Sequence, residues 1–138
     1  MLTEAEADAL FARRRDAWLR EDIDAYLACW AEDMTFASPV HPEPLRGREA
    51  YASLIRSSAQ AVRPLRFDIG HLAVRGDVVL AEWEIEAEHR PSGARLRWQG
   101  MSAAGYRDGL IVWWREYWNP AALGLPVGTP LRPSSGRR

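Results

Sequence analysis

The sequence contains no lysine, only one cysteine and almost no net charge. All 18 basic residues of the 138-residue chain are arginines, so chemistry that forms a Schiff base on a lysine is excluded. The single cysteine, Cys29, cannot form an internal disulfide, and its helical surroundings favour a small buried residue. A net charge of -1 and a pI near 6.3 argue against a nucleic-acid or acidic-membrane partner.

Long apolar segments and the usual cofactor motifs are also missing. No segment has the apolar length of a membrane span, and the N-terminus lacks a signal-peptide pattern. We therefore expect a cytoplasmic protein with no membrane partner. Metal-ligand spacing, a glycine-rich phosphate loop and a nucleophilic triad are likewise missing from the sequence. The prediction is a protein that uses neither a metal nor a cofactor.

Hydrophobic periodicity indicates helices in the first half of the chain. Helical patterns start at Thr3, where Glu6 completes capping-box spacing, near Asp22, and after Gly47. A short strand is predicted at 34–37, followed by a proline-stiffened loop over 38–44. The first helix carries Arg14 on its apolar stripe, which is costly unless the charge finds a partner.

The period changes to two in the second half. Strands are predicted at 65–74, 78–89, 94–106 and 110–118. Helices followed by a meander predict an α+β fold, a cone-shaped, curved antiparallel sheet with three helices from the N-terminal half over its concave face. We expect one domain over residues 1–125 and a flexible C-terminal tail over 126–138.

Alternation along the second of these strands separates an acidic face from an apolar one. Its four glutamates, Glu82, Glu84, Glu86 and Glu88, are interpreted as a solvated outer row rather than metal ligands. A tight turn at Pro91-Ser92 would place two arginines of the next strand opposite two of these acids, namely Arg95 opposite Glu88 and Arg97 opposite Glu86. The same register places Trp83 opposite Gly100 on the inner face.

The last strand carries one carboxylate, Glu116, between Trp114 and Trp118 on one face. A three-residue loop with Gly109 in the left-handed conformation would pair this strand with its neighbour. The predicted pairs are Gly100–Glu116, Trp98–Trp118 and Ser102–Trp114. Because Gly100 has no side chain, the pairing predicts a hollow beside Glu116. A carboxylate among indoles is poorly solvated, which raises its pKa and suits general acid/base work.

These patterns give a set of candidate site residues. Glu116 is predicted as the general acid or base, Arg14 as a group that stabilises an oxyanion, and His41 as a proton relay. The predicted substrate-binding residues are Trp18, Phe36, Ser38, Trp83, Trp98, Gly100, Ser102, Trp114 and Trp118. The alternatives are a structural Arg14–Glu116 ion pair, a surface His41, serines that cap local backbone, and tryptophans that only fill the core.

The chain resembles a known family along nearly its whole length. The fragments that carry the resemblance are Ala31-Glu32-Asp33-Met34-Thr35-Phe36, Leu45-Arg46-Gly47-Arg48-Glu49, Arg107-Asp108-Gly109-Leu110-Ile111 and Trp114-Arg115-Glu116-Tyr117-Trp118-Asn119-Pro120. Their order is similar to that of the nuclear transport factor 2-like superfamily, and within it to SnoaL-like polyketide cyclases. The resemblance implies a pocket between the sheet and the helices.

Better-known branches of that superfamily match only in part. Steroid Δ-isomerases carry chemistry-bearing groups at positions where this chain has Ser38, Arg14 and Ser102, so that activity is not implied. Limonene-epoxide hydrolases share only the acid at Glu116. Phenazine-biosynthesis proteins of the A/B type match Glu116 and Asn119. These resemblances agree on an acid at the position of Glu116.

Two functions from different classes follow. One is a cofactor-free cyclase, isomerase or dehydratase that acts on a hydrophobic aromatic or polyketide-like molecule. The alternative is a non-catalytic small-molecule-binding or dimeric interaction protein. The outer sheet face should carry an apolar patch that predicts a homodimer, formed by Met101, Ala103, Ile111, Trp113 and Tyr117.

Overall fold

The computed structural model describes residues 1–124 as three helices packed on one sheet. The helices are α1 (Glu4–Leu19), α2 (Ile23–Leu27) and α3 (Arg48–Ala61), and a short 3₁₀ helix spans Pro120–Leu123. The strands are β1 (Trp30–Ser38), β2 (His41–Arg46), β3 (Val62–Arg75), β4 (Val78–His89), β5 (Arg95–Arg107) and β6 (Leu110–Trp118). The tail predicted over 126–138 lies outside the described residues.

The strands form one curved, unclosed sheet in the order β2-β1-β6-β5-β4-β3. The predicted α+β fold is confirmed. Neighbouring strands are antiparallel except β1 and β6, which run parallel. The segment 41–46, most of which was predicted as a loop, is instead the strand β2. Its two prolines are tolerated because β2 is an edge strand, where a missing backbone N–H donor costs little.

Helix α1 begins as its sequence predicts. The Thr3 hydroxyl accepts from the Glu6 backbone N–H at 3.0 Å, and the Glu6 carboxylate accepts from the Thr3 backbone N–H at 2.9 Å. The helix buries Ala7, Phe11 and Arg14 against the sheet. Phe11 stacks on Trp114 of β6 with ring centroids 5.5 Å apart, so the core lies between the helices and the inner face. Within residues 1–124, no helix is long and apolar enough to cross a membrane.

The predicted register between β4 and β5 is confirmed. Trp83 lies opposite Gly100, and Glu86 lies opposite Arg97. The Arg97 Nε donates to the Glu86 carboxylate at 2.9 Å, and Arg66 and Arg95 approach the same group at 3.4 Å. Arginines also donate to Glu84 and Glu88, and His71 pairs with Glu82, so the acidic row carries structural ion pairs. No cluster of potential metal-binding side chains occurs within residues 1–124.

The predicted register between β5 and β6 is wrong by two residues. Ser102 lies opposite Glu116 and Gly100 lies opposite Trp118. Two causes combine. Asp108 and Gly109 have φ values of 55° and 78° and form a two-residue turn, shorter than the three-residue loop expected. The pairing then shifts between Gly105 and Tyr106, which adds one residue to β6 at Val112. The third predicted pair also shifts, so that Ala104 lies opposite Trp114.

The bulge at Val112 also changes the outer face. Ile111, predicted there, is 1% exposed and belongs to the core, because the extra residue inverts the alternation. Met101 and Tyr117 are exposed on the outer face as expected. The homodimer through this face stays a prediction.

Candidate active site

A cavity of about 270 Å³ lies between the inner sheet face and the helices. This is near the lower end of the range of about 300–1,000 Å³ that small-molecule sites occupy. Nine of the sequence-predicted site residues line it, namely Arg14, Trp18, Phe36, Ser38, His41, Trp83, Trp98, Glu116 and Trp118. Gly100, Ser102 and Trp114 stand behind this lining. The wall is mostly apolar, with few groups that can move a proton.

Glu116 is held by the two tryptophans that flank it on β6. Trp114 Nε1 donates to Oε1 at 2.9 Å, and Trp118 Nε1 donates to Oε2 at 2.8 Å. Residues two apart on a strand point to the same face, so this clamp is a local consequence of the sequence. Each carboxylate oxygen has one indole donor, which fixes the plane of the carboxylate at the cavity wall.

The surroundings of Glu116 favour its neutral form. Burial raises the pKa of the Glu116 carboxyl above its ordinary value, because the charged form loses hydration. The indole N–H groups of Trp114 and Trp118 and the charge of Arg14 act in the opposite direction and lower this pKa without cancelling the effect of burial. A carboxyl of this kind can hold a proton at a higher pH than an exposed glutamate.

Arg14 is buried against the face of the Trp114 ring. Its guanidinium lies over the indole face, 4.1 Å from the ring centroid, and Nη1 donates to the Tyr26 hydroxyl at 3.0 Å. An indole has a negative face and a positive edge, so Trp114 offers its face to the cation and its N–H to Glu116. Within residues 1–124, Arg14 and Glu116 do not form the direct ion pair considered from the sequence.

Two tyrosines in the wall were missed by the sequence reasoning. Tyr26 of α2 and Tyr51 of α3 both line the cavity, and their hydroxyls are 2.8 Å apart. Burial raises the pKa of Tyr51 well above its usual value, so this phenol stays neutral. Arg14 on an apolar stripe needs a buried acceptor, and that need was the available signal for Tyr26.

The hollow predicted beside Gly100 is filled. A Cβ atom at Gly100 would lie 2.9 Å from Trp118 Cβ and 3.0 Å from Trp83 Cη2. The missing side chain therefore makes room for the Trp83 ring and for the close approach of β6. Ser102 is 1% exposed and its hydroxyl accepts from Trp83 Nε1 at 2.8 Å. It positions this wall of the cavity from behind.

His41 and Ser38 meet at the cavity where β1 turns into β2. The Ser38 hydroxyl lies 3.3 Å from His41 Nδ1. Partial burial lowers the pKa of His41, so the imidazole is neutral at pH 7. Phe36 packs beside it, with ring centroids 6.1 Å apart. A neutral imidazole at this position can pass a proton, which keeps the predicted relay role chemically open.

Solved structures of several proteins share this architecture. A Bacillus subtilis protein provisionally described as an isomerase is 24% identical, with 96% of this chain and 100% of that chain covered and a TM-score of 0.80. An LEH-like epoxide hydrolase from M. tuberculosis is 23% identical, with 87% of each chain covered and a TM-score of 0.74. A protein from Xanthomonas campestris pv. campestris provisionally described as a polyketide cyclase is 23% identical, with 86% of this chain and 94% of that chain covered and a TM-score of 0.71.

At these levels of identity the likenesses show the fold, and they confirm the curved sheet with helices on its concave side. Family membership rests on the sequence itself. The profile of the SnoaL-like domain matches residues 11–114, from the middle of α1 to the centre of β6. Because that match spans most of the chain, the protein belongs to the SnoaL-like domain family.

Proposed function

We propose that this protein is a cofactor-free general acid/base enzyme, a cyclase, isomerase or dehydratase. Its substrate is a hydrophobic aromatic or polyketide-like small molecule. The observation that carries the proposal is the Glu116 carboxylate at the wall of an apolar cavity, with each oxygen fixed by an indole N–H. Family membership and the polyketide cyclase and epoxide hydrolase among the structural neighbours support enzymatic activity.

Three polar groups of the cavity take roles in the proposal. Glu116 moves the proton to or from substrate carbon or oxygen, and the clamp by Trp114 and Trp118 keeps its free lone pairs aimed at the substrate. Arg14 stabilises negative charge that develops on a substrate oxygen. His41 exchanges protons between the cavity and solvent. Trp83 and its neighbours exclude water, which strengthens these electrostatic effects.

A surrogate reaction tests the proposal without knowledge of the natural substrate. In 5-nitrobenzisoxazole a base removes the ring C–H proton, the N–O bond breaks, and a coloured cyanophenolate forms. The molecule is flat, apolar and small enough for the cavity. We expect the wild-type protein to accelerate this elimination, with a rate that rises with pH as Glu116 ionises, and with a midpoint above the ordinary glutamate value of about 4.3.

The decisive variant is Glu116→Gln, which keeps the shape and removes the titrating group. We expect a loss of roughly 10²–10⁴-fold in rate, the usual contribution of a positioned acid or base. Glu82→Gln is the matched control, since it makes the same chemical change on the exposed outer face of the sheet. Equal rates for the wild-type protein and Glu116→Gln would contradict the proposal. Such a result would favour a protein that only binds its ligand.

A further inference from the structure

Arg14 has more donors than partners. A guanidinium carries five N–H groups, and here only Nη1 has an acceptor, the Tyr26 hydroxyl at 3.0 Å. Nε is buried without a hydrogen-bond partner, and Nη2 makes no hydrogen bond to any of residues 1–124. The N–H groups of Nε and Nη2 lie along one edge of the guanidinium. Nε is shielded from solvent, so Nη2 is the donor on that edge that a carboxylate oxygen can reach.

The aromatic rings around Arg14 do not satisfy these donors. The guanidinium carbon lies 4.1 Å from the Trp114 ring centroid, and 5.4 Å and 5.7 Å from those of Phe67 and Tyr26. Rings attract the positive charge through their faces. The N–H groups of a guanidinium point outward in its own plane, so they still require acceptors. A buried donor without an acceptor destabilises the fold, and more so when it is charged.

The tyrosine pair leaves one more donor for the cavity. Tyr26 and Tyr51 have two hydroxyl hydrogens between them, and their mutual contact at 2.8 Å uses only one. Arg14 only donates, so it cannot accept the other hydrogen. Whichever tyrosine donates to its neighbour, one hydroxyl hydrogen has no acceptor among residues 1–124. Both side chains line the cavity, so this hydrogen is available to a ligand.

Among residues 1–124, no carboxylate is paired directly with Arg14. Glu116 is the one carboxylate in the described lining, and each of its oxygens already accepts an indole N–H. The outer-face arginine Arg97, in contrast, is paired directly with Glu86. Burial also raises the pKa of Glu116, because its charged form loses hydration.

We infer that the ligand of this cavity is a planar aromatic carboxylate, with its anionic group bound to Nη2 of Arg14 and to the spare hydroxyl of the Tyr26–Tyr51 pair. The aromatic body fills the space between Trp83, Trp98 and Trp118. The inference rests on the proposed function only in using the same cavity. It adds a substrate class, because the apolar lining of the cavity alone gives no preference for a charged ligand.

A comparison of two probes tests it. 2-Naphthoate and 2-naphthamide have nearly the same shape and differ in charge, and calorimetric titration at pH 7 measures both. We expect the carboxylate to bind at least ~10-fold more tightly, which corresponds to about 1.4 kcal/mol. In Arg14→Gln this preference should fall to about one, whereas Arg97→Gln on the outer face should keep it. Arg14→Lys keeps the charge but replaces the planar guanidinium and its Nη2 donors with a compact ammonium, so it should bind naphthoate more weakly than the wild type.

The outcomes separate this inference from the proposed function. Glu116→Gln should lose the elimination activity and keep the preference for naphthoate. Naphthoate that binds no more tightly than naphthamide, or fails to bind up to ~1 mM, overturns the inference and leaves the role of Glu116 intact. If Arg14→Gln does not fold by circular dichroism, Arg14→Lys decides. It should weaken naphthoate binding more than naphthamide binding, and equal weakening overturns the inference.

Discussion

Gly100→Ala is the sharpest test of how the cavity wall is built. A Cβ atom at this position would lie 2.3 Å from the Tyr117 carbonyl oxygen, as well as within 3.0 Å of Trp118 and Trp83. The first of these contacts is with backbone, so no rotation of a side chain relieves it. Strand β6 would have to move, and it carries Glu116.

The expected cost follows from that contact. Overpacking of a buried position typically destabilises by about 1–3 kcal/mol, and a backbone contact belongs at the upper end. Replacing glycine by alanine also stabilises the fold by about 0.4–1 kcal/mol, because it reduces the conformational entropy of the unfolded chain. The net destabilisation of Gly100→Ala should be about 2 kcal/mol. A domain of this size loses roughly 3–5 °C in melting temperature per kcal/mol, so the shift should be about 6–10 °C.

Gly70→Ala is the matched control on the same sheet. Its Cβ would meet only the Glu82 carbonyl oxygen at 3.9 Å, an ordinary contact. This variant should be as stable as the wild type or slightly more stable, because only the unfolded-chain effect remains. Urea unfolding of both variants measures the difference. Equal stabilities for Gly100→Ala and Gly70→Ala would refute the reasoning. They would also favour the hollow that the sequence-based register placed beside Gly100.

Three further predictions concern single interactions. Ser102→Ala removes the acceptor of Trp83 Nε1, and urea unfolding should show a destabilisation of about 1–3 kcal/mol. A variant as stable as the wild type would show that the indole finds another acceptor. Thr3→Ala breaks the capping box and should lower the free energy of unfolding by about 1 kcal/mol in the same measurement. An unchanged free energy of unfolding would show that the start of α1 is frayed and the cap contributes nothing. The raised pKa of Glu116 stabilises the fold below the unfolded-state pKa, and this contribution is lost as pH rises through the folded-state pKa. Glu116→Gln should therefore gain stability relative to wild type as pH rises, and a difference in unfolding free energy that stays constant with pH would contradict the assigned pKa shift.

The sequence predicted the β4–β5 register correctly and the β5–β6 register wrongly, and the turns explain the difference. The turn before Arg95 behaves as its Pro91-Ser92 centre indicates, so the β4–β5 register is correct. The turn at Asp108-Gly109 is followed by an extra residue at Val112, and nothing in the local pattern marks that bulge. The position of a bulge depends on how both strands pack against the core, which a single strand does not encode.

The end of the cavity formed by Arg14 and the two tyrosines could not be predicted from local patterns, for a different reason. Arg14, Tyr26 and Tyr51 lie on three helices, and their hydrogen bonds join residues 12 and 25 positions apart. Such contacts depend on the packing of α2 and α3 over the sheet, whereas periodicity reports only which face of each helix is apolar. Tyr51 in particular falls on an apolar stripe, where its hydroxyl carries no separate signal.

Glu116 reached the cavity despite the wrong register, and the geometry explains this. A shift of two residues preserves which face of the sheet a side chain occupies, whereas a shift of one would have moved Glu116 to the outer surface. Its hydrogen-bond partners, Trp114 and Trp118, lie on the same strand, so the clamp does not depend on which residue of β5 stands opposite. The part of the site that can be predicted from sequence is therefore the part whose contacts lie within one strand. The part that selects the ligand needs the packing of helices onto the sheet.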